Sequence, residues 1–175
     1  ELGQRNGNIR LAAAKRGLER IDLDESLVSR GGETQRVVIA DVLAACAFFS
    51  QVDGPTRKRL VRMAVRREYK KGEVIFQDGD PAPGVFIVAS GLVRVYKLAP
   101  SGKEHVLHLA SPGMTFAEVA VLGDFPCPAF AEALEESACI LLPTEESRDF
   151  FHEHANHFPA LEGIAERIGA ELLDA

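Results

Sequence analysis

Apolar positions recur at helical spacing at both ends of the chain and in short extended runs between them. Leu11, Ala14, Leu18 and Ile21 lie three or four residues apart, with Arg10, Lys15, Arg16 and Arg20 on the other faces. That period predicts an amphipathic helix that Asn8 can cap. Ser29 to Thr34 reads as a turn or linker, so residues 1–40 form an N-terminal helical segment without an assigned role. A second, apolar helix is predicted over Val37–Phe49, with Leu43 and Phe48 as core residues. Asp53-Gly54-Pro55 opens a third, with Asp53 as N-cap and Pro55 in the first turn. Leu60, Met63 and Ala64 form its inward stripe, and Arg57, Lys58, Arg59, Arg62, Arg66 and Arg67 its solvated outer face.

From Arg67 to Leu142 the runs shorten. Val74–Phe76, Val85–Val88, Leu92–Tyr96 and Val106–Leu109 are rich in Val, Ile, Phe and Leu, and Gly, Pro, Asp and Ser break them apart. Strands at such close spacing predict a sandwich or barrel. After Ala138–Leu142, Thr144 is placed to cap a helix with Glu145 and Glu146 near its positive end and Phe150 and Phe151 turned inward. A last helix starts near Pro159, and Leu161, Ile164, Ala165, Ile168 and Leu172 form one apolar stripe. The expected fold is mainly β with flanking α. One domain is expected over residues 41–175, with strands at about 67–142 and helices at about 144–174.

Composition narrows the function. A chain of 175 residues suits one domain with a core and flanking helices. A net charge of −6 argues against a globally basic nucleic-acid surface. No apolar run reaches the roughly 18 residues a membrane helix needs. There is no starting Met and no signal peptide, so the chain reads as a fragment or trimmed piece. Cys46, Cys127 and Cys139 are odd in number and lack metal-type spacing, which fits a reducing cytoplasm.

The stretch Phe116 to Ala133, FAEVAVLGDFPCPAFAEA, carries the candidate chemistry. The N–H groups opening a short helix favour an anion, and Glu118 beside them can accept from hydroxyls. This stretch resembles the phosphate-binding cassette of cyclic-nucleotide-binding domains, as in Crp/Fnr regulators. It matches at Phe116, Glu118, Ala120, Leu122, Pro126 and Ala129. Lys71–Asp80 and Phe86–Tyr96 resemble the family's second strand and the run after it. The three motifs come in the family's order, and the resemblance covers roughly residues 43–175.

The resemblance implies a double-stranded β-helix or jelly-roll-like β-roll, with N-terminal helices and a C-terminal dimerisation helix. It implies an effector site at Phe116, Ala117, Glu118, Val119, Cys127, Pro128 and Ala129. It implies a homodimer through Leu161, Ile164, Ile168 and Leu172, whose stripe suits an isologous interface. DNA would be reached through a helix-turn-helix domain that this chain does not contain.

Two departures change the ligand. Ala117 stands where the family has Gly, and Cys127 where it has the phosphate-binding Arg. Losing one partner of a buried charge pair costs about 3–5 kcal/mol, two to four decades of affinity. Cyclic AMP and cyclic GMP are therefore not expected as effectors. If only charge has changed, Cys127→Arg is expected to restore binding. Cys127 itself reads as a neutral pocket residue or, alternatively, a sensor thiol.

The texture from Phe125 to Leu134 is similar to that of the haem-dependent, nitric-oxide-responsive branch of the same regulators. It makes haem a candidate cofactor, with His154 or His157 as axial ligand. His105 and His108 are expected on opposite faces of a strand, and the remaining histidines lack the partners of a zinc site. No nucleophile–base pairing is legible, so the chain reads as a sensor and not as an enzyme. The alternative is a regulatory domain of the same kind within a larger enzyme, channel or assembly.

Overall fold

The structure, a computed structural model, describes residues 38–154 apart from 48 and 51. Helix α1 covers residues 38–45. It is followed by α2 (Gly54–Met63), β1 (Val65–Tyr69), β2 (Val74–Phe76), β3 (Gly84–Ser90), β4 (Val93–Leu98) and β5 (Glu104–Ala110). Then come β6 (Thr115–Phe116), α3 (Glu118–Gly123), β7 (Phe130–Ala133), β8 (Ser137–Pro143) and α4 (Thr144–Glu153). All strand pairs are antiparallel, in two four-stranded sheets of order β1-β8-β3-β6 and β2-β7-β4-β5. Most successive strands change sheet, which is the expected roll.

Strands β3 and β8 are apolar almost throughout because both of their faces are covered. Val85, Ile87, Ile140 and Leu142 face α1, α2 and α4, where they meet Leu43, Phe49, Leu60, Phe150 and Phe151. Phe86, Val88, Cys139 and Leu141 face the roll interior with Ile75, Phe76, Val93, Phe116 and Cys127. The register Phe86↔Leu141 and Ile87↔Ile140 keeps each set on its own side. A one-residue slip would exchange the two faces.

The other sheet is fixed from outside. Arg94 donates to Glu104 at 2.7 Å and Glu132 at 3.0 Å, tying β4 to both its neighbours. The Arg94 guanidinium lies 4.2 Å from the Tyr96 ring centroid.

The helix at 54–63 starts as its sequence requires. Asp53 Oδ1 accepts from the Thr56 N–H at 2.8 Å, and a Pro lies in the first turn. Several boundaries differ. The first apolar helix stops at residue 45, so Phe49 reaches the core from the turn after it. Ile39 is core, so the domain starts before residue 41. The strands run from Val65 to Pro143, slightly beyond 67–142 at both ends.

Arg67 is not on the outer face of a helix. Strand β1 alternates Val65 and Arg67 inward, leaving Arg67 8% exposed with its pKa lowered by burial. Thr144 does not cap α4. Its Oγ1 donates to the Ala82 carbonyl at 2.5 Å, and the N-cap position is Pro143. The predicted N-terminal helix and linker, Phe48, His157 and the stripe Leu161, Ile164, Ile168 and Leu172 lie outside the described residues.

Candidate functional site

Phe116 closes β6 and stacks on Phe86 with ring centroids 4.7 Å apart, with Phe76 at 6.2 Å. The chain then reverses at Ala117, whose φ of 67° is left-handed. A side chain there costs about 1–2 kcal/mol, which explains why glycine suits the position better. Glu118 is the first residue of α3, and no side chain caps the helix. Val119, Ala120 and Val121 are buried beneath it. At the far end the ring of Phe125 lies where a Cβ on Gly123 would be, so any side chain there would displace that ring. Asp124 follows with φ 53°, and the N–H groups of Asp124 and Phe125 both reach the Ala120 carbonyl.

The loop then crosses to the corner between β2 and β3. The Cys127 N–H donates to the Asp80 carbonyl at 2.8 Å, and the Gly79 N–H donates to the Cys127 carbonyl at 2.8 Å. This pair of bonds seats the Cys127 side chain in the roll-side cluster, where the residue is 1% exposed. Burial pushes its thiol up to about 12, with Asp80 and then Asp78 adding to the effect. Cys127 is therefore packed as core, without the access and lowered pKa that a sensor thiol needs. Ala129 is buried and Pro128 half-buried just beyond.

Glu118 has a different environment. Its Oε2 is buried and has no hydrogen-bond partner. Burial raises the carboxyl's pKa, while its own backbone N–H and the nearby His108 partly oppose the rise. His108 reaches the start of this turn from β5, its Nε2 3.2 Å from the Thr115 carbonyl. Sequence reasoning missed His108 as a neighbour of Glu118, because a β4–β5 irregularity between Val95 and Tyr96 shifts the strand's alternation.

A family model described as the cyclic nucleotide-binding domain matches residues 66–154, just over half of the chain. The chain belongs to the cyclic nucleotide-binding domain family. It is 23% identical over 110 residues to the CRP-like cAMP-activated global transcriptional regulator of Mycobacterium tuberculosis, covering 63% of this chain and 49% of that protein. The chain thus spans about half the length of that relative. The fold is shared with the sensor domain of the transcriptional regulator DNR from Pseudomonas aeruginosa. There the TM-score is 0.67 and the identity 23%, over 79% of this chain and 93% of that one. It is also shared with the regulatory subunit of a cAMP-independent protein kinase A from Trypanosoma brucei. That match has a TM-score of 0.67 and 17% identity, over 78% and 49% of the two chains.

Within this cyclic nucleotide-binding fold, Phe116, Ala117, Glu118 and Val119 stand on one limb of the cassette and Cys127, Pro128 and Ala129 on the other. The first limb keeps an acceptor, and the second has become part of the core. His154 does not join them. Its Nδ1 donates to the Phe150 carbonyl at 2.8 Å, and its ring stacks on Phe150 with centroids 4.4 Å apart. Phe150 belongs to the helix-side cluster, so sheet β1-β8-β3-β6 separates His154 from the roll interior. The residues described do not fit a haem held in the roll by His154. Among the described residues no group of three or more His, Cys, Asp or Glu is placed to hold a metal, and no helix is long and apolar enough to cross a membrane.

Proposed function

We propose that this chain is the effector-sensing domain of a Crp/Fnr-type transcription regulator in the cytoplasm, and that its effector is not a cyclic nucleotide held by its phosphate. The observation that carries the reading is Cys127, 1% exposed in an apolar cluster at the position of the family's phosphate-binding Arg. An anion there would meet a neutral thiol and the charges of Asp80 and Asp78, where the family offers a guanidinium fork.

In this reading a small-molecule effector is met by the polar limb of the cassette, Phe116, Ala117, Glu118 and Val119, and favours one arrangement of the C-terminal helices by population shift, while Cys127, Pro128 and Ala129 form the packed limb beside it. Two copies pair through Leu161, Ile164, Ile168 and Leu172, and a helix-turn-helix domain outside this chain contacts DNA. The test is calorimetry with cyclic AMP and cyclic GMP. No tight binding is expected, and micromolar or better affinity for either would overturn the reading.

A second reading, the regulatory domain of a larger assembly, draws support from the fold shared with a kinase regulatory subunit. Specific DNA binding by the full-length protein would decide between the two.

A further inference from the structure

We propose that Arg148 is a cap supplied by a neighbouring helix of the same chain, fastening the C-terminus of α3 to α4, and that this tie couples movement of α4 to the cassette. Helix α3 has six residues, too few to hold itself. It starts and ends at Ala117 and Asp124, the two non-glycine residues with positive φ among the described residues. Ala117 holds its start in a conformation that costs a side chain, and contacts from outside the helix offset that cost.

Buried Val119, Ala120 and Val121 supply the apolar part of those contacts. Arg148 supplies the polar part. Its Nη2 donates to Asp124 Oδ1 at 2.7 Å, and its Nε donates to the Val121 carbonyl at 3.4 Å. That carbonyl is one of the last four of the helix, which lack partners within it. A cation at this end also suits the helix dipole. One side chain thus answers both the cap residue and the open carbonyl, and it comes from the helix that leads into the chain's C-terminal segment. The inference rests on the effector-cassette reading for its use, while the tie itself needs no ligand.

Hydrogen exchange on the ligand-free 175-residue chain tests it. Arg148→Met keeps the apolar stem and removes the donors. Exchange in residues 117–125 should then rise about two- to fivefold, the loss expected of an ion pair whose carboxylate is 77% exposed. Amides of β3 and β8 should be unaffected. Adding Ala117→Gly, which relieves the left-handed turn, should bring the cassette's exchange back toward the parent's. Because coupling is reciprocal, Asp124→Asn should quicken exchange in the last turn of α4, including the His154 amide that donates to Phe150 at 3.1 Å. Unchanged cassette exchange in Arg148→Met, equal loosening of β8, or an unaffected α4 in Asp124→Asn would each overturn the proposal. None of these outcomes depends on which effector, if any, binds.

Discussion

Sheet β1-β8-β3-β6 has an apolar cluster on each face, and the two are built differently. The helix side is filled by Leu43, Leu60, Ile87, Ile140, Leu142 and Phe150, with three helices sealing it. Ionic contacts close its rim, such as Arg59 to Glu153 at 2.6 Å. The roll side combines three neighbouring rings, Phe76, Phe86 and Phe116, with small residues, Ala110, Ala131, Cys127 and Cys139. The cassette has a foot in each, Val121 on the helix side and Phe116 and Cys127 on the roll side. With Cys127 where the family has a guanidinium, that end of the cassette is packed as core. In the proposed reading a ligand on the roll side works through what is polar there, the Glu118 limb. The helix side holds the contacts that can carry its effect onward.

The largest effect should come from the helix side. Phe150→Ala removes a fully buried ring that also stacks on His154, and should cost about 3–5 kcal/mol. Urea unfolding would show it as a lowered midpoint with an unchanged slope. A loss under 1 kcal/mol would mean the helix side is loosely filled, and the contrast would fail.

Next comes Cys127→Arg. From sequence this change is expected to return phosphate donors to the cassette. Burial reverses the expectation: a long cation would enter a packed apolar cluster. Overpacking alone costs about 1–3 kcal/mol, and desolvating the new cation adds to it, offset only in part by Asp80 and Asp78 nearby. The variant should be destabilised and gain no affinity in a fluorescent cyclic-nucleotide titration. Full stability together with nucleotide binding would show that the roll side opens at Cys127.

The roll was legible because β3 and β8 are apolar on both faces and the turns between strands need glycine. Gly79, Gly91, Gly102 and Gly113 all have positive φ. The cassette was legible as a motif, and Asp53 as a cap. Other features depend on tertiary neighbours. Cys127 reads from sequence as a pocket residue or a sensor thiol, and two backbone bonds to the corner at Gly79 and Asp80 seat it in the core instead. Thr144 has the chemistry of a cap, yet the nearby Ala82 carbonyl takes its hydroxyl. Arg67 continued a basic run in sequence, and strand alternation turned it inward. His154 looked like a ligand by residue type alone, and the sheet between it and the roll could not be read from spacing.

The smallest effect expected is also the one that probes the polar limb directly. Glu118 Oε2 is buried without a partner, and burial raises its carboxyl's pKa above the ordinary 4.5. A carboxyl whose pKa is higher folded than unfolded binds more protons when folded. Its ionisation therefore withdraws stability as the pH climbs above 4.5 through the raised value, and the full loss stands above that value. Glu118→Gln keeps the shape and cannot ionise, so it should lack this loss. Parent and variant should unfold alike near pH 4, and the variant should be more stable toward neutral pH by of order 1 kcal/mol, the scale of one unmet buried acceptor. Urea titrations at a series of pH values give the difference. A difference that is flat with pH would mean that Oε2 is solvated or paired, and Glu118 would lose its place as the cassette's open acceptor. A difference that grows as described leaves it waiting for a donor, which the Cys127 limb cannot supply.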